Sequence, residues 1–408
     1  MRRDDLTDSP AICEAGRGPL SLALMDARNQ TLSLLACFEA AAKEGRDLSR
    51  DGFEPPARVA GQVAWLAEWW IGRHPQRALG PQAPADGLRL GSLHPGADGW
   101  FGPAGQGPWP DLDEVRGYML EQLESTLDLL DRAEETDPSL YFFRVALLHE
   151  DARTEQLVAQ AQALGLPLSL RPPQPWAWRE ALHLPAVRWR LGSPEAGFAP
   201  ALERPQQTVD VPAFEIDPQP VSWAQFIEFI DDGGYDRPEL WHPEGWQWLQ
   251  AASLREGRRG PGLVEQIGVA SGAAMQSWFG QPTRMAPSQP VLHVTWWEAD
   301  AWARWAGRRL PTEVEWEVAA LQATGRGFRW GDVLEWTAGT LRPWPGYQPD
   351  AWAMGTPLDP APHWGAARVL RGASVATRQR HKHPRARRFA RPEDDRSFTG
   401  FRTCALFD

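Results

Sequence analysis

The chain of 408 residues holds only three cysteines, Cys13, Cys37 and Cys404, scattered over its whole length. They are too few and too far apart for a disulfide framework or a zinc knuckle. No run of 18 apolar residues occurs, and the opening MRRDD turns polar without the apolar stretch of a secretory signal. A cytoplasmic protein without a membrane partner is expected. Positive charge is also short, with 42 Lys and Arg against 53 Asp and Glu, a net charge of −11. Phosphate backbones demand clustered cations, so nucleic acid is not an expected partner. The one basic cluster, 378–391, is conspicuous in such a chain. It reads as a surface ion-pair network with acids such as Glu393 and Asp394, or else as a grip on a ligand carboxylate or phosphate. Tyrosine is scarce, at 4, whereas tryptophan reaches 23. Most of those rings are expected to fill cores, and a minority to face a cationic or aromatic ligand.

Two kinds of periodicity divide the chain. Up to residue 165 four helical stretches are expected, at 20–43, 56–74, 113–135 and 140–165. Val59, Gln62, Leu66 and Trp69 share one face of the second, and Phe142, Val145, His149 and Ala152 one face of the fourth. Asp111, and Asp137 with Pro138, are start signals, and Gly165 is a stop. Helices of this length suggest an up-and-down bundle with a long Gly/Pro-rich second connection at 75–110. A Pro- and Trp-rich linker, 166–187, follows. Beyond it, from 188 to 408, short strand-like runs (209–214, 291–295, 369–370) alternate with turns. Amphipathic helices are expected at 222–232 and 296–306, and a third at 313–321. The fold class is therefore α+β, with a bundle at 1–165, a linker at 166–187 and a loop-rich mixed domain at 188–408.

Four segments in this second part carry a more specific signal. They are QPVLHVTWWEADAWARWAGRRLPTEVEWEVAA (289–320), GDVLEWT (331–337), VLRGAS (369–374) and GFRTC (400–404). In this order they resemble the formylglycine-generating-enzyme superfamily. Arg308, Glu313, Glu315 and Arg371 within them are expected to form buried ion pairs that tie loops together. True formylglycine-generating enzymes need a cysteine pair after the RG(G/A)S motif, and VATRQRHKHPRARRF (375–389) has none. Sulfatase activation by cysteine oxidation is thus not expected. DDGGYDRPELWHPEGWQW (231–248), AWLAEWW with R-x-PQR (64–77) and HKHPRARRFARPEDDRSFTGFR (381–402) instead resemble the ergothioneine sulfoxide synthases and their selenoneine-forming relatives.

That resemblance implies a DinB-like four-helix bundle followed by a C-type-lectin-like domain of the formylglycine-generating type. It also implies a non-haem Fe(II) held by three histidines, one from the second helix and two from an H-E-x-x-H pattern on the fourth. Neutral imidazoles suit Fe(II) and leave positions open for O2 and a thiolate or selenolate. Here the pattern is partial. Gln62 stands where the first histidine is expected, His149 and Glu150 match, and Arg153 replaces the last ligand. A guanidinium has no lone pair to donate and would repel the cation. His74 lies too far along the helix to stand in for Gln62, and His94 lies on the long connection. Glu150 and Asp151 read as surface or rim carboxylates. Candidate substrate-binding residues are Trp65, Glu68, Glu335, Trp336 and Arg371.

Three functions stay open on the residues alone. One is the O2-dependent oxidoreductase that the resemblance implies, joining sulfur or selenium to the imidazole of a trimethylhistidine-like betaine with iron as cofactor. Another is a metal-free protein or pseudoenzyme partner on the same scaffold, without a cofactor, binding a small zwitterion or anion. In it Arg153 either takes the place of the metal charge toward an anion, or His149 pairs with Glu68 or Gln62 in a polar network. The third is a different reaction with His149 as general base beside Glu150 or Glu68, for which no nucleophile stands out. The sulfur or selenium donor and the oligomeric state are not set by the sequence.

Overall fold

Prolines and capping side chains start most of the helices. In the computed structural model, which describes residues 7–49, 52–194 and 197–406, α1 spans Arg17–Lys43 and α2 spans Pro56–Ala67, the latter with proline in its first turn. Helix α2 runs on into a single π-helical turn, Glu68–Gly72. A short α3, Ala97–Phe101, lies in the long connection. Helix α4, Leu112–Asp131, is capped by Asp111, which accepts from the Glu114 amide at 2.8 Å. Helix α5, Asp137–Ala163, begins after Thr136, whose hydroxyl caps Ser139, with Pro138 in the first turn. These caps satisfy amides that the helix leaves orphaned.

Helices α1 and α4 present one buried face each, whereas α5 and most of α2 are buried nearly all round. A helix buried on all sides needs cover on two sides. The other helices supply one, and the C-terminal part of the chain supplies the other.

That part begins with two antiparallel pairs. Strand β1 (Leu182–Leu184) pairs with β4 (Phe214–Ile216), and β2 (Val187–Leu191) with β3 (Gln207–Val211). Helices α6 (Trp223–Asp231) and α7 (Pro243–Glu256) precede a three-stranded antiparallel sheet of β5 (Val264–Gly268), β6 (Ala273–Trp278) and β7 (Gln281–Met285). Helices α8 (Trp296–Trp305) and α9 (Glu313–Gln322) come next. The last sheet has the order β10-β9-β8-β11, from β8 (Leu334–Thr340), β9 (Arg368–Gly372), β10 (Arg387–Ala390) and β11 (Thr399–Phe401), with β11 parallel to β8. Helices α6, α8 and α9 each open with a complete capping box, Ser222/Gln225, Thr295/Glu298 and Thr312/Glu315.

The protein is thus α+β. The run 291–295, expected to be a strand, forms none: His293 takes a positive φ of 59° within it, and its apolar residues are simply buried. Helix α7 was not anticipated from the sequence. Residues 166–181 carry no regular structure and lie against the C-terminal part, where Trp176 donates to Asp332 (2.7 Å) and Trp278 donates to the Leu170 carbonyl (2.7 Å). One apolar core joins Leu34, Phe38, Val59 and Leu157 of the helices to Trp223, Phe226 and Trp278. A second, inside the helices, takes in Trp352 and Ala353. Burial therefore runs across the linker rather than stopping at it. No described helix is long and apolar enough to cross a membrane.

Candidate ligand-binding site

Helix α5 carries two polar faces, and each meets a different part of the protein. His149 and Arg153, at i and i+4, share the face turned toward α2. Arg153 is 1% exposed; both terminal nitrogens of its guanidinium are occupied, while its Nε is buried without a hydrogen-bond partner among the described residues. Nη2 donates to Gln62 Oε1 at 2.7 Å, and Nη1 donates to Glu54 (2.7 Å) and to Gln156 (2.5 Å). Gln156 in turn donates to Glu54 at 3.0 Å, which closes the ring of contacts. Burial raises the energy of the charged Glu54, but Arg153 outweighs it and holds that carboxyl below its usual range. Burial also lowers the Arg153 pKa, yet a guanidinium starts so high that it keeps its charge.

His149 makes no bond in this cluster. Its Nδ1 is buried without a hydrogen-bond partner among the described residues. Burial, and next the charge of Arg153, push its pKa down to about 3. Both influences disfavour a proton on this ring, which counts against His149 as a general base. Neither Glu68 nor Gln62 pairs with it.

The opposite side of α5 overturns the expectation that Glu150 and Asp151 sit at a rim. Both are buried. Glu150 accepts from Arg28 at 2.9 Å and from Thr31 at 2.9 Å, inside the helices. Asp151 meets the basic segment. Arg380 donates to both of its oxygens, at 2.6 and 2.8 Å, and His381 Nε2 lies 2.8 Å away. Burial opposes the Asp151 charge, but these contacts prevail and its pKa falls. Arg380 also reaches Asp26 at 2.8 Å, and Arg378 pairs with the same carboxylate. One turn on from Asp151, Glu155 accepts from Arg388 at 2.7 Å and from Thr377 at 2.8 Å. The basic segment is therefore mostly neither a surface network nor a free cationic patch. It clasps α1 and α5 to the last sheet, and only its end, Arg391 with Glu393, is a surface pair.

Between this face of α5 and the last sheet lies a cavity of about 570 Å³. Leu148, Ala152, Glu155 and Gln156 form one wall; His381, His383, Arg388 and Phe389 form the other. Gln156 belongs both to this wall and to the Arg153 cluster, so the cluster closes one end of the space.

The remaining candidates lie elsewhere. Glu68, at the π turn, accepts from Tyr118, from Ser92 at 2.9 Å and from the Leu93 amide, all at 2.5 Å or more, and so pins the long connection. Trp65 donates to Asp98 at 2.7 Å. Glu335 is fully buried between Arg402 and Trp316, and Trp336 donates to the Val294 carbonyl at 2.7 Å. Arg371 is fully buried against Glu317. None of these five lines the cavity, and the hydrogen bonds they make hold the fold together. The expected ion pairs of the motifs form, but not all are buried: Glu315 meets Arg309 (2.7 Å) and Glu313 meets Arg387 (2.7 Å) largely out of solvent, whereas Arg308 meets Glu215 (2.9 Å) with both side chains partly exposed. Among the tryptophans only Trp352 lines the cavity. His381 and Arg388, which line it, belong to the basic cluster that stands out in the sequence, whereas Glu155 and its pairing with Arg388 were not legible because the partners lie 233 residues apart along the chain. His94 bonds Glu114 at 3.1 Å, and His74 meets the Pro84 carbonyl at 3.2 Å.

Iron of the kind the resemblance implies does not fit these residues. The layer of Gln62, His149 and Arg153 offers one imidazole, one amide and a cation whose charge is already matched by Glu54. Among the described residues no three His, Cys, Asp or Glu side chains gather as ligands would.

Comparison with known proteins places this geometry in a lineage. Residues 180–332 match the sulfatase-modifying factor enzyme 1-like domain. The chain is 32% identical over 343 residues to a hercynine oxygenase of Mycolicibacterium smegmatis, covering 71% of this chain and 77% of that protein. It is 30% identical over 439 residues to the hercynine oxygenase of Mycolicibacterium thermoresistibile, covering 95% and 94%. A formylglycine-generating enzyme of Mycobacterium tuberculosis is 35% identical over 174 residues, which span 38% of this chain and 55% of that one. The class is that of proteins built on the formylglycine-generating type of domain. Within it, the chain belongs to the hercynine oxygenase family.

Proposed function

We propose that this chain is a metal-free binding protein of that family, which takes a small trimethylhistidine-like betaine into the cavity between α5 and the last sheet. The observation that carries this reading is the closed cluster of Arg153, Gln62, Glu54 and Gln156. It sets a paired guanidinium in the layer where the family resemblance puts iron ligands. Opening this pair would leave the buried Arg153 guanidinium without its countercharge, although Glu54 itself keeps contact with solvent. The cavity itself does not depend on that layer. Its size is in the range of small-molecule sites, and its walls combine apolar side chains such as Leu148, Trp352 and Phe389 with charged and polar ones such as Glu155, His381 and Arg388. Arg388 spends one nitrogen on Glu155 and has others to offer a ligand carboxylate. Family membership supports the betaine as the ligand, and the Arg153 cluster supports binding without iron.

The test combines metal analysis with calorimetry. Purified protein loaded with Fe(II) under anaerobic conditions and then desalted is expected to retain no stoichiometric iron. Trimethylhistidine is expected to bind with the same affinity in chelator and in Fe(II). Stoichiometric iron together with O2-dependent turnover of the betaine in the presence of a thiol or selenol would overturn the proposal.

A further inference from the structure

The cavity wall holds one imidazole whose orientation is set from behind. His381 Nε2 lies 2.8 Å from Asp151, and Asp151 is itself gripped on both oxygens by Arg380, which is fully buried. A carboxylate only accepts hydrogen bonds, so in the neutral ring it fixes the proton on Nε2 and leaves the lone pair on Nδ1. Among the described residues no hydrogen bond is made to Nδ1, and it is not among the buried polar atoms left without a partner. The ring lines the cavity and keeps 15% of its side chain exposed. Charged and titratable groups lining the same cavity include Arg380, His383, Glu155 and Arg388, and Lys382 follows it in sequence. Glu155 is occupied by Arg388 and Thr377, and Lys382 donates to the Gly331 carbonyl at 2.8 Å. His381 Nδ1 is thus a pre-oriented acceptor on this wall.

We infer that His381, positioned by Asp151, is a ligand-binding residue that accepts a hydrogen bond from the ring N–H of an imidazole-bearing zwitterion. This assignment rests on the binding function proposed above and deepens it. It also explains the service of a buried carboxylate on α5 that the Arg153 cluster does not use. Asp151 acts through His381 and is a positioning residue.

Calorimetry with two ligands separates the possibilities. Trimethylhistidine carries the ring N–H, and trimethylphenylalanine has a ring of similar extent without it. Wild-type protein is expected to prefer the first by roughly tenfold, the order of one hydrogen bond in a desolvated site. His381→Ala is expected to remove the preference, and His381→Gln to restore part of it, because its amide oxygen can accept. A readout free of substitutions is the ¹⁵N spectrum of histidine-labelled wild-type protein, in which the Nδ1 signal of His381 should shift when trimethylhistidine is added. If wild-type protein binds neither ligand, the binding function and this assignment both fall. If wild-type protein binds both ligands alike, or folded His381→Ala keeps the preference, only the assignment falls.

Discussion

Helix α5 offers a comparison within a single element. On one face His149 and Arg153 look toward α2; on the other Asp151 and Glu155 look toward the basic segment. Both faces bury charge, and both match it. They differ in where the matching partner comes from. Arg153 is answered by Glu54, Gln62 and Gln156, all within the helical part or its edge, and Glu54 stays 26% exposed. Asp151 is answered by Arg380 and His381, more than 200 residues away in sequence, in contacts that are nearly dry. The first face is a local closure that the rest of the fold barely feels. The second is the joint between the two parts and the wall of the cavity. A change in the first layer can therefore alter metal chemistry while the binding space persists.

The sharpest way to break the comparison is to convert the first face. Joint Gln62→His and Arg153→His changes would set three imidazoles in one layer and remove the cation. Stoichiometric Fe(II) retention, read by metal analysis after anaerobic loading, is the expected outcome. It would show that only two side chains separate this scaffold from a metal site, whereas continued failure to hold iron would mean the layer is closed by more than those residues. The second face is expected to answer in stability. Arg380→Leu leaves the buried Asp151 with His381 as its remaining partner, at a cost of about 3–5 kcal/mol in urea unfolding. Arg153→Leu should cost less, about 1–3 kcal/mol, because Glu54 can turn to solvent and Gln62 is only half-buried. If the order of those two losses were reversed, α5 would be anchored by the metal-layer face instead.

The same contrast explains what could be read in advance. Four long helices and their starts were legible, because Asp111, Pro138 and the apolar spacing act within a few residues. The motif ion pairs were legible as a class. Glu150 and Asp151 were not, since charged residues are rarely buried and nothing nearby in sequence announces Arg28 or Arg380 as partners. The run 291–295 misled because a short buried apolar run has the same composition with or without a strand partner. Helix α7 escaped notice because it buries little beyond Gly245, Leu249 and Ala252, so its apolar stripe is faint. The substitutions at Gln62 and Arg153 could be seen, but not that the two side chains would bond to each other and recruit Glu54.

The smallest expected effect concerns the unpaired member of the first face. His149 titrates near 6.5 when unfolded, and burial with the Arg153 charge depresses it to about 3 in the folded protein. Above pH 6.5 the ring is neutral in both states and contributes no pH dependence. Between about 6.5 and 3 only the unfolded chain binds the proton, so stability falls as pH falls. One such group contributes at most about 1.4 kcal/mol per pH unit, hence at most about 2 kcal/mol between pH 6.5 and 5. His293, also depressed, to about 4, adds a loss of the same sign. The difference between wild type and His149→Leu isolates the first ring. Urea unfolding at pH 7 and pH 5 should show a smaller acid loss in the variant. An equal loss in both proteins would mean that His149 reaches solvent or a partner, and that the face toward α2 is more open than the Arg153 cluster implies.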